Sequence, residues 1–557
     1  MKKVSRALHA STQKAPCPHT HTLEYFQMAS GSGGLRELGR AYRSGNILPS
    51  NALAASARLQ RITSHLNIFV TDCAENAQSA AKQADARMTA GSPLGPLDGI
   101  TMSFKDNFCA TGLPTTCASR MLENFVAPYN ATVVQKSLDN GALLVGKTNL
   151  DEFAMGSGTT DSHYGPTKNV WGSGTAYSLI NKKGEVLANE EEKGDGEDDW
   201  VVAGGSSGGS AVSVAAGVVA ASLGSDTGGS VRIPAAWTGV VSLKPTYGRI
   251  SRHGLIPLVN SLDCPGILTR RVRDCAAVLG VLEGRDPLDS TTIDCPQWEE
   301  LNLKDVAGLK VGLPQEFFCA GMSSEVIEVW SKIADMLERG GAEVVPVNLP
   351  HTELAIPCYS VLNPCEVASN MARYDGLEFG HRADTITSTE DLYAETRSQG
   401  FNEVVRGRIL AGNYFLLKQN YEKYYLQALK VRRLILEDYL ATWRDGVDLL
   451  VTPVTLSDAP TFSSFSSSDN RAQTAVQDFC TQPINLAGLP ALTLPVGLSK
   501  RKLPLAVQLV GPPLQEHLLL GVAAWLEDQL DFPTLLVSDR QTSSSSENHI
   551  VKEHKQS

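Results

Sequence analysis

No segment of this 557-residue chain is apolar over the roughly 18 residues that a membrane-spanning helix takes. The nearest approach, Ala211 to Ala221, is shorter and carries Ser213 and Gly217. It reads as a buried helix whose small side chains allow close packing. Positive charge is also short: 49 Lys and Arg against 60 Asp and Glu give a net charge of −11. A nucleic-acid surface is built from clustered Lys and Arg, so this balance argues against nucleic acid as the chain's main direct contact. No two of the 11 cysteines form a Cys-x-x-Cys pair, and their number is odd. That disfavours a disulfide framework and a zinc site and suits a reducing compartment, with most thiols expected in the core. None of the 11 histidines falls in His-Glu-x-x-His or a comparable ligand spacing, so no metal site is expected. No internal repeat is visible.

The two ends and one internal stretch differ from the rest. Residues 1–27 carry Lys2, Lys3, Arg6 and Lys14 with no acid before Glu24. The composition fits an organelle transit peptide, or equally an extension ahead of a start at Met28. Gly172 to Asp199 has little periodicity and ends in the acidic run Glu190 to Asp199; it reads as a solvated surface insertion. Residues 541–557 are polar and Ser-rich and read as a disordered tail. Between them, residues 28–540 are expected to form one large domain.

Helical patterning runs with breaks from about Gly34 to Thr89 and gives way to the turn cluster Pro93 to Gly99. Ile100 to Lys105 alternates as a strand, with Ile100, Met102 and Phe104 on one face and Thr101, Ser103 and Lys105 on the other. Lys105 therefore closes a strand. Further strands are predicted at Leu143–Gly146, Ser222–Ser225, Lys310–Leu313, Leu449–Thr452, Ala491–Leu494 and Ala506–Val510. Helices are predicted from Glu325 to Arg339, stopped by Gly340-Gly341, and from about Leu514 to Gln529. Strands alternating with helices give the α/β class.

The chemistry concentrates between Ala203 and Lys244. Two glycine-flanked serine turns, Gly204 to Gly209 and Thr227 to Ser230, bracket a segment of small residues. Glycine lets the backbone approach a ligand closely. A serine hydroxyl is a weak nucleophile, so two of them on tight turns suggest that one attacks while the other handles its proton. Two simpler readings fail. Gly141 to Thr148 fits the phosphate-loop formula, but its interior Ala-Leu-Leu-Val is itself a strand. Gly204 to Gly208 fits the nucleophile elbow of α/β-hydrolases, but His253, His351 and His381 sit in no distinctive context, and the second serine turn would go unexplained. Lysine can replace histidine as base if it is neutral, and burial away from carboxylates favours that form. Lys105 is the candidate, with Asp106 expected on the opposite face.

The tracts GGSSGGSAVSVAAG and SLGSDTGGSVRIPAAWTGVVSLKPTYG closely resemble the amidase signature family. So do Asp98 to Ile100 with Phe104 to Asn107, and Gly146 to Phe153, which explains the false phosphate loop. The likeness extends from about Leu35 to Phe532. Stretches outside the shared signature, among them DEFAMGSGTTDS, GFNEVVRGRILAGNY and TQPINLAGLPALTLPVG, resemble most the glutamine-hydrolysing subunits of tRNA-dependent amidotransferases.

The resemblance implies an α/β/α layered fold with a mixed central sheet. It implies a Ser-cisSer-Lys triad of Ser230 as nucleophile, Ser206 after a cis peptide and Lys105 as base. The backbone N–H groups of Thr227, Gly228, Gly229 and Ser230 would hold the oxyanion. Glutamine would meet Arg408 at its carboxylate and Asp478 at its ammonium, with Tyr359 and the loop Met155, Gly156 and Ser157 lining the pocket. Arg406, two residues from Arg408, is the alternative carboxylate ligand, and a core aromatic is the alternative role for Tyr359. Implied partners are a B subunit, which binds Glu-tRNA(Gln) and uses ATP and magnesium, and a small C subunit, making a heterotrimer. No cofactor is implied in this chain. The basic leader and the acidic insertion resemble features of an organellar, mitochondrial form. A stand-alone amidase for a lipid or aryl amide would have no use for the charged pair Arg408 and Asp478. A non-catalytic assembly protein would have no need of Lys105, Ser206 and Ser230 together.

Overall fold

Strands and helices alternate along the chain and feed one sheet of eleven strands. The computed structural model describes residues 34–182, 184–190, 199–296, 303–384 and 387–537. The leader 1–27, the tail 541–557 and residues 191–198 of the acidic run lie outside the described residues.

In chain order the strands are β1 (Phe69–Asp72), β2 (Thr101–Lys105), β3 (Leu143–Thr148), β4 (Tyr177–Ile180), β5 (Val186–Glu190), β6 (Ala221–Asp226) and β7 (Val241–Lys244). They continue with β8 (Cys264–Thr269), β9 (Lys310–Pro314), β10 (Glu343–Val347), β11 (Leu449–Pro453), β12 (Ala491–Leu498), β13 (Pro504–Val510) and β14 (Thr534–Val537). The large sheet runs β1-β3-β2-β6-β8-β7-β12-β13-β11-β9-β10. It is mixed: β3, β2 and β6 are parallel neighbours, as are β11, β9 and β10, while the strands between them pair antiparallel. The predicted α/β/α fold with a mixed sheet is the one observed.

Two apolar cores lie on the two faces of the sheet. One collects Ile100, Met102 and Phe104 and is covered by the helices Val272–Leu282 and Glu516–Gln529. The other collects Leu143, Val145 and Leu268 under the helices Gly208–Ala215 and Arg232–Thr238. The predicted alternation of β2 is therefore seen, but both its faces are buried because the strand is central.

On the Lys105 side a layer of hydroxyls bonds strand to helix. Ser103 reaches Ser222 at 2.8 Å and Ser213 at 3.1 Å, and Thr148 reaches Ser210 at 2.7 Å. Small residues are needed here because the helix packs directly on backbone. A Cβ on Gly209 would stand 2.6 Å from the carbonyl oxygens of both Asn149 and Ile68.

Two expectations need correction. The buried segment read as a helix over Ala211–Ala221 is a helix only from Gly208 to Ala215; Gly217, at φ 75°, turns the chain so that Ala221 already starts β6. The region read as an unpatterned insertion holds a hairpin, β4 with β5, and β4 pairs antiparallel with β14 near the end of the chain. Its sequence hides this because β5 leaves Val186 and Leu187 exposed, so no apolar face alternates along it.

Candidate active site

The carboxyl ends of the parallel strands β2 and β6 open on one side of the sheet, the usual place for ligands in α/β folds. Lys105 ends β2 and is fully buried. Its Nζ lies 2.8 Å from Ser206 Oγ, 3.0 Å from Ser225 Oγ and 3.4 Å from the Ser225 carbonyl oxygen. Ser225 Oγ also accepts from Asn107 Nδ2 at 2.9 Å. Burial pushes the Lys105 ammonium down to about 7, against the pull of Asp151, Asp226 and Asp263. None of these carboxylates forms an ion pair with it, so desolvation prevails. Asp106 is turned away, accepting from Lys147 at 2.9 Å and from Thr116.

Ser206 follows the Gly205–Ser206 peptide, which is cis. Gly205 fits because its missing Cβ leaves room for the N–H groups of Gly158 and Thr159, 2.6 and 2.7 Å from where that atom would be.

The second turn hangs from a buried ion pair. Strand β6 ends at Asp226 and the next helix starts at Arg232; the two side chains meet at 3.0 Å with neither exposed to solvent. Asp226 also accepts from Val231 N at 3.1 Å, and Arg232 extends to Thr481 O at 3.2 Å and Gln508 Oε1 at 3.1 Å. Burial works against the charge of Asp226, but Arg232 beside it holds the carboxyl down at about 2. Residues 227–230 are thereby clamped at both ends.

Ser230 is the only residue from Val201 to Thr238 that is not buried, so it is the point where this machinery meets solvent. The backbone N–H groups of Thr227, Gly228, Gly229 and Ser230 have no hydrogen-bond acceptor among the described residues. Four unpaired donors beside one accessible hydroxyl suit an oxyanion. Ser207 N donates to Ser230 O at 3.1 Å and ties the two turns together. Ser206 Oγ and Ser230 Oγ do not hydrogen-bond to each other. Such contacts are often long before substrate arrives.

Arg408, on the helix Glu403–Leu416, donates to Asn363 Oδ1 at 3.2 Å and Asn470 Oδ1 at 3.1 Å. Asn363 in turn donates to Tyr359 Oη at 2.8 Å. Burial raises the Tyr359 hydroxyl, with Arg408 pulling the other way. Burial likewise pushes Asp478 up to about 8, opposed mainly by Arg408. Arg406 points elsewhere, donating to Ser398 O at 3.1 Å. Arg408 is thus the arginine that the fold brings to Tyr359 and Asp478. Asn470 also donates to Met155 O at 3.2 Å and to Asp161 at 3.0 Å, which carries the loop Met155, Gly156 and Ser157 into the same cluster. Ser157 Oγ is buried and without a partner among the described residues. Gly228 joins the two halves: a Cβ there would overlap Gln482 Oε1 and come within 2.9 Å of Asp478 Oδ2.

Several members of the cluster escaped the sequence reading: Asn107, Ser225, Asn363, Asn470 and Gln482. They are uncharged residues, three of them inside the family tracts (Asn107, Ser225, Gln482) and two outside (Asn363, Asn470), and their side chains meet the site only through the fold. The two rejected motifs stay rejected. Gly141 to Thr148 contains β3, whose Lys147 is buried on Asp106 rather than free for phosphate. His351 bonds to Asp438 at 2.9 Å and His381 to Gln399 at 3.0 Å; among the described residues no histidine hydrogen-bonds to either serine.

The amidase family profile matches residues 51–176 and 197–520. The chain belongs to the amidase family. The break in the match, residues 177–196, contains the β4–β5 hairpin. Among curated amidase-family relatives, the A subunit of the mitochondrial glutamyl-tRNA(Gln) amidotransferase of Xenopus tropicalis is 53% identical over 527 residues, 94% of this chain and 98% of that protein. The human protein of the same name is 51% identical over 508 residues, 91% of this chain and 95% of its own length. Among solved amidase-family structures, the A subunit of the glutamyl-tRNA(Gln) amidotransferase of Thermotoga maritima is 35% identical, with a TM-score of 0.64 over 80% of this chain and 88% of that one. Another, described only as an amidase, is 29% identical with a TM-score of 0.72 over 89% of this chain and all of its own.

Proposed function

We propose that this chain is the glutamine-hydrolysing A subunit of a mitochondrial glutamyl-tRNA(Gln) amidotransferase, releasing ammonia for the conversion of Glu-tRNA(Gln) to Gln-tRNA(Gln). The observation that carries the substrate assignment is the half-buried Arg408 acting on the buried Asp478, close to Ser230, the one residue of its tract that is not buried. Free glutamine is a zwitterion, and a planar guanidinium suits its carboxylate while a carboxylate suits its ammonium. The names of the relatives support the rest.

In the proposed reaction, neutral Lys105 takes the proton of Ser206, and Ser206 takes that of Ser230 as Ser230 Oγ attacks the side-chain carboxamide carbon. The N–H groups of residues 227–230 hold the oxyanion. The proton returns through Ser206 to the leaving nitrogen, giving ammonia and a glutamyl ester on Ser230. Water, activated by the same relay, then releases glutamate and restores the hydroxyl. For the relay to run, Ser230 Oγ has to close onto Ser206 Oγ when glutamine docks.

The tRNA, ATP and magnesium belong on a B partner, and a small C partner completes a heterotrimer. In this chain the one phosphate-loop formula does not fit a nucleotide, since its lysine is committed to Asp106. The test is purification of the full chain from mitochondria with its bound partners. The expected result is two co-purifying proteins and glutamine-dependent formation of Gln-tRNA(Gln). A lone chain that releases no ammonia from glutamine would overturn the reading.

A further inference from the structure

Gln482 is fully buried, and neither its Oε1 nor its Nε2 has a hydrogen-bond partner among the described residues. A buried amide with both ends unpaired is destabilising, so it persists where something outside the fold completes it. Its position says what. Gln482 N donates to Asp478 O at 2.8 Å, one helical turn that sets side chains 478 and 482 on the same side. Both then converge on Gly228: the vacant Cβ position there overlaps Gln482 Oε1 and lies 2.9 Å from Asp478 Oδ2. Thr481, between them, fixes the height of this turn by donating to Gly228 O.

We propose that Gln482 is a substrate ligand whose carboxamide oxygen accepts one N–H of the substrate's α-ammonium group, beside Asp478. The inference rests on the glutaminase reading and deepens it. An ammonium has three N–H donors, and one carboxylate edge meets two of them. A neutral acceptor takes the third without setting a second negative charge against Asp478 in a buried site. The two ends of an amide are interchangeable by rotation, and a cationic ligand selects the oxygen. Gln482 therefore makes the site select an α-amino acid over a simple amide of the same length.

The experiment uses the full-length chain in its native assembly and compares ammonia release from glutamine with release from 4-carbamoylbutanoate, which is glutamine without its α-amino group. In Gln482→Met, kcat/KM for glutamine is expected to fall about 10- to 100-fold, the usual effect of losing a hydrogen bond to a charged group. The preference for glutamine over the des-amino analogue should fall by the same factor. The melting temperature should not drop, because the native amide has no partner in the fold to lose. Equal losses on both substrates, or none, would overturn the assignment while leaving the glutaminase reading standing. A destabilised Gln482→Met would overturn it too, by showing that the amide is satisfied within the protein. Wild-type protein that releases no ammonia from glutamine would remove the glutaminase reading itself, and the inference with it.

Discussion

The pH dependence of glutamine turnover tests the site most directly, because in the proposed reaction two groups must lose protons before the site works. Lys105 acts as base only when neutral, and burial sets it at about 7. Asp478 receives an ammonium only as a carboxylate, and burial sets it at about 8 in the face of Arg408. Other charges face them. Asp151, Asp226 and Asp263 act on Lys105, and Asp226 and Arg232 act on Asp478. Asp151 and Asp263, both raised by burial to about 6, are largely ionised by pH 7, so the field at Lys105 changes little above that. Both working forms gain as pH rises. At pH 6 about 9% of Lys105 is neutral and about 1% of Asp478 is charged; at pH 8 the fractions are about 90% and 50%. Their product rises about 500-fold. The profile of kcat/KM, which reports the free enzyme, should climb with a slope of two below pH 7 and one between 7 and 8 before levelling. Asp478→Asn removes one ionisation. Its kcat/KM should be lower by about 2–4 kcal/mol on the plateau, and the same pH interval should now bring only about a tenfold rise. Initial-rate ammonia assays at low glutamine from pH 6 to 9 give both curves. A flat wild-type profile would refute the lysine base, and an Asp478→Asn profile that keeps the slope of two would refute the role of the aspartate.

Ser230→Ala should abolish glutamine hydrolysis by about four or more orders of magnitude, since nucleophile and relay act as a unit, while the assembled complex still amidates tRNA from added ammonium salt. Loss of both activities would point to misfolding instead. Arg408→Ala should raise KM for glutamine about 30- to 1,000-fold, and Arg406→Ala, at a residue turned toward Ser398, should leave it near wild type; the reverse ranking would exchange their roles. Arg232→Ala breaks an ion pair with no exposed side-chain surface and strands Asp226, so the urea midpoint should shift by the equivalent of about 3–5 kcal/mol; a shift under 1 kcal/mol would mean that water enters the site. Gly209→Ala, forced against two backbone carbonyls, should cost about 1–3 kcal/mol by the same measurement, whereas Gly184→Ala meets nothing within 4 Å and loses only through its φ of 80°.

What could be read beforehand follows from what each element is made of. Strand β2 was legible because Ile100, Met102 and Phe104 alternate with polar residues, and β3, β9, β11, β12 and β13 because their apolar runs are short and bounded. The β7 strand Val-Ser-Leu-Lys and the β8 strand Cys-Pro-Gly-Ile-Leu-Thr were not: each is only part of a longer mixed tract, and a Pro-Gly pair is in general a turn signal rather than a strand one. The proposed triad and the proposed charged ligands could be named because lysine, arginine, aspartate and the glycine-flanked serines are chemically distinctive and sit in or near recognisable tracts. Asn107, Ser225, Asn470 and Gln482 could not, since an amide or hydroxyl acquires a role only from its neighbours. Asn470 shows why: it bonds Arg408, Met155 and Asp161, which lie 62, 315 and 309 positions away.

A buried lysine amid three buried carboxylates would ordinarily become an ion pair and cease to be a base. Here each acid is already occupied. Asp151 accepts from the N–H groups of Thr159, Thr160 and Asp161, which shapes the loop that carries Ser157. Asp226 is spent on Arg232 and Val231 N, which shapes the Ser230 turn. Asp263 accepts from Thr227 Oγ1 and from the N–H groups of Leu258 and Val259, which anchors the start of the same turn. A carboxylate that collects backbone donors is stabilised where it stands, and moving it onto Lys105 would strand those donors. The arrangement that builds the walls of the site therefore also keeps the lysine unpaired, its nearest neighbours being hydroxyls that can exchange a proton with it. Replacing Asp263 by Asn should loosen Thr227 and weaken oxyanion binding while removing one of the pulls that favour the charged lysine. The kcat/KM profile should then shift to lower pH even as its plateau falls. A shift to higher pH would mean that Asp263 does not act on Lys105 through its charge.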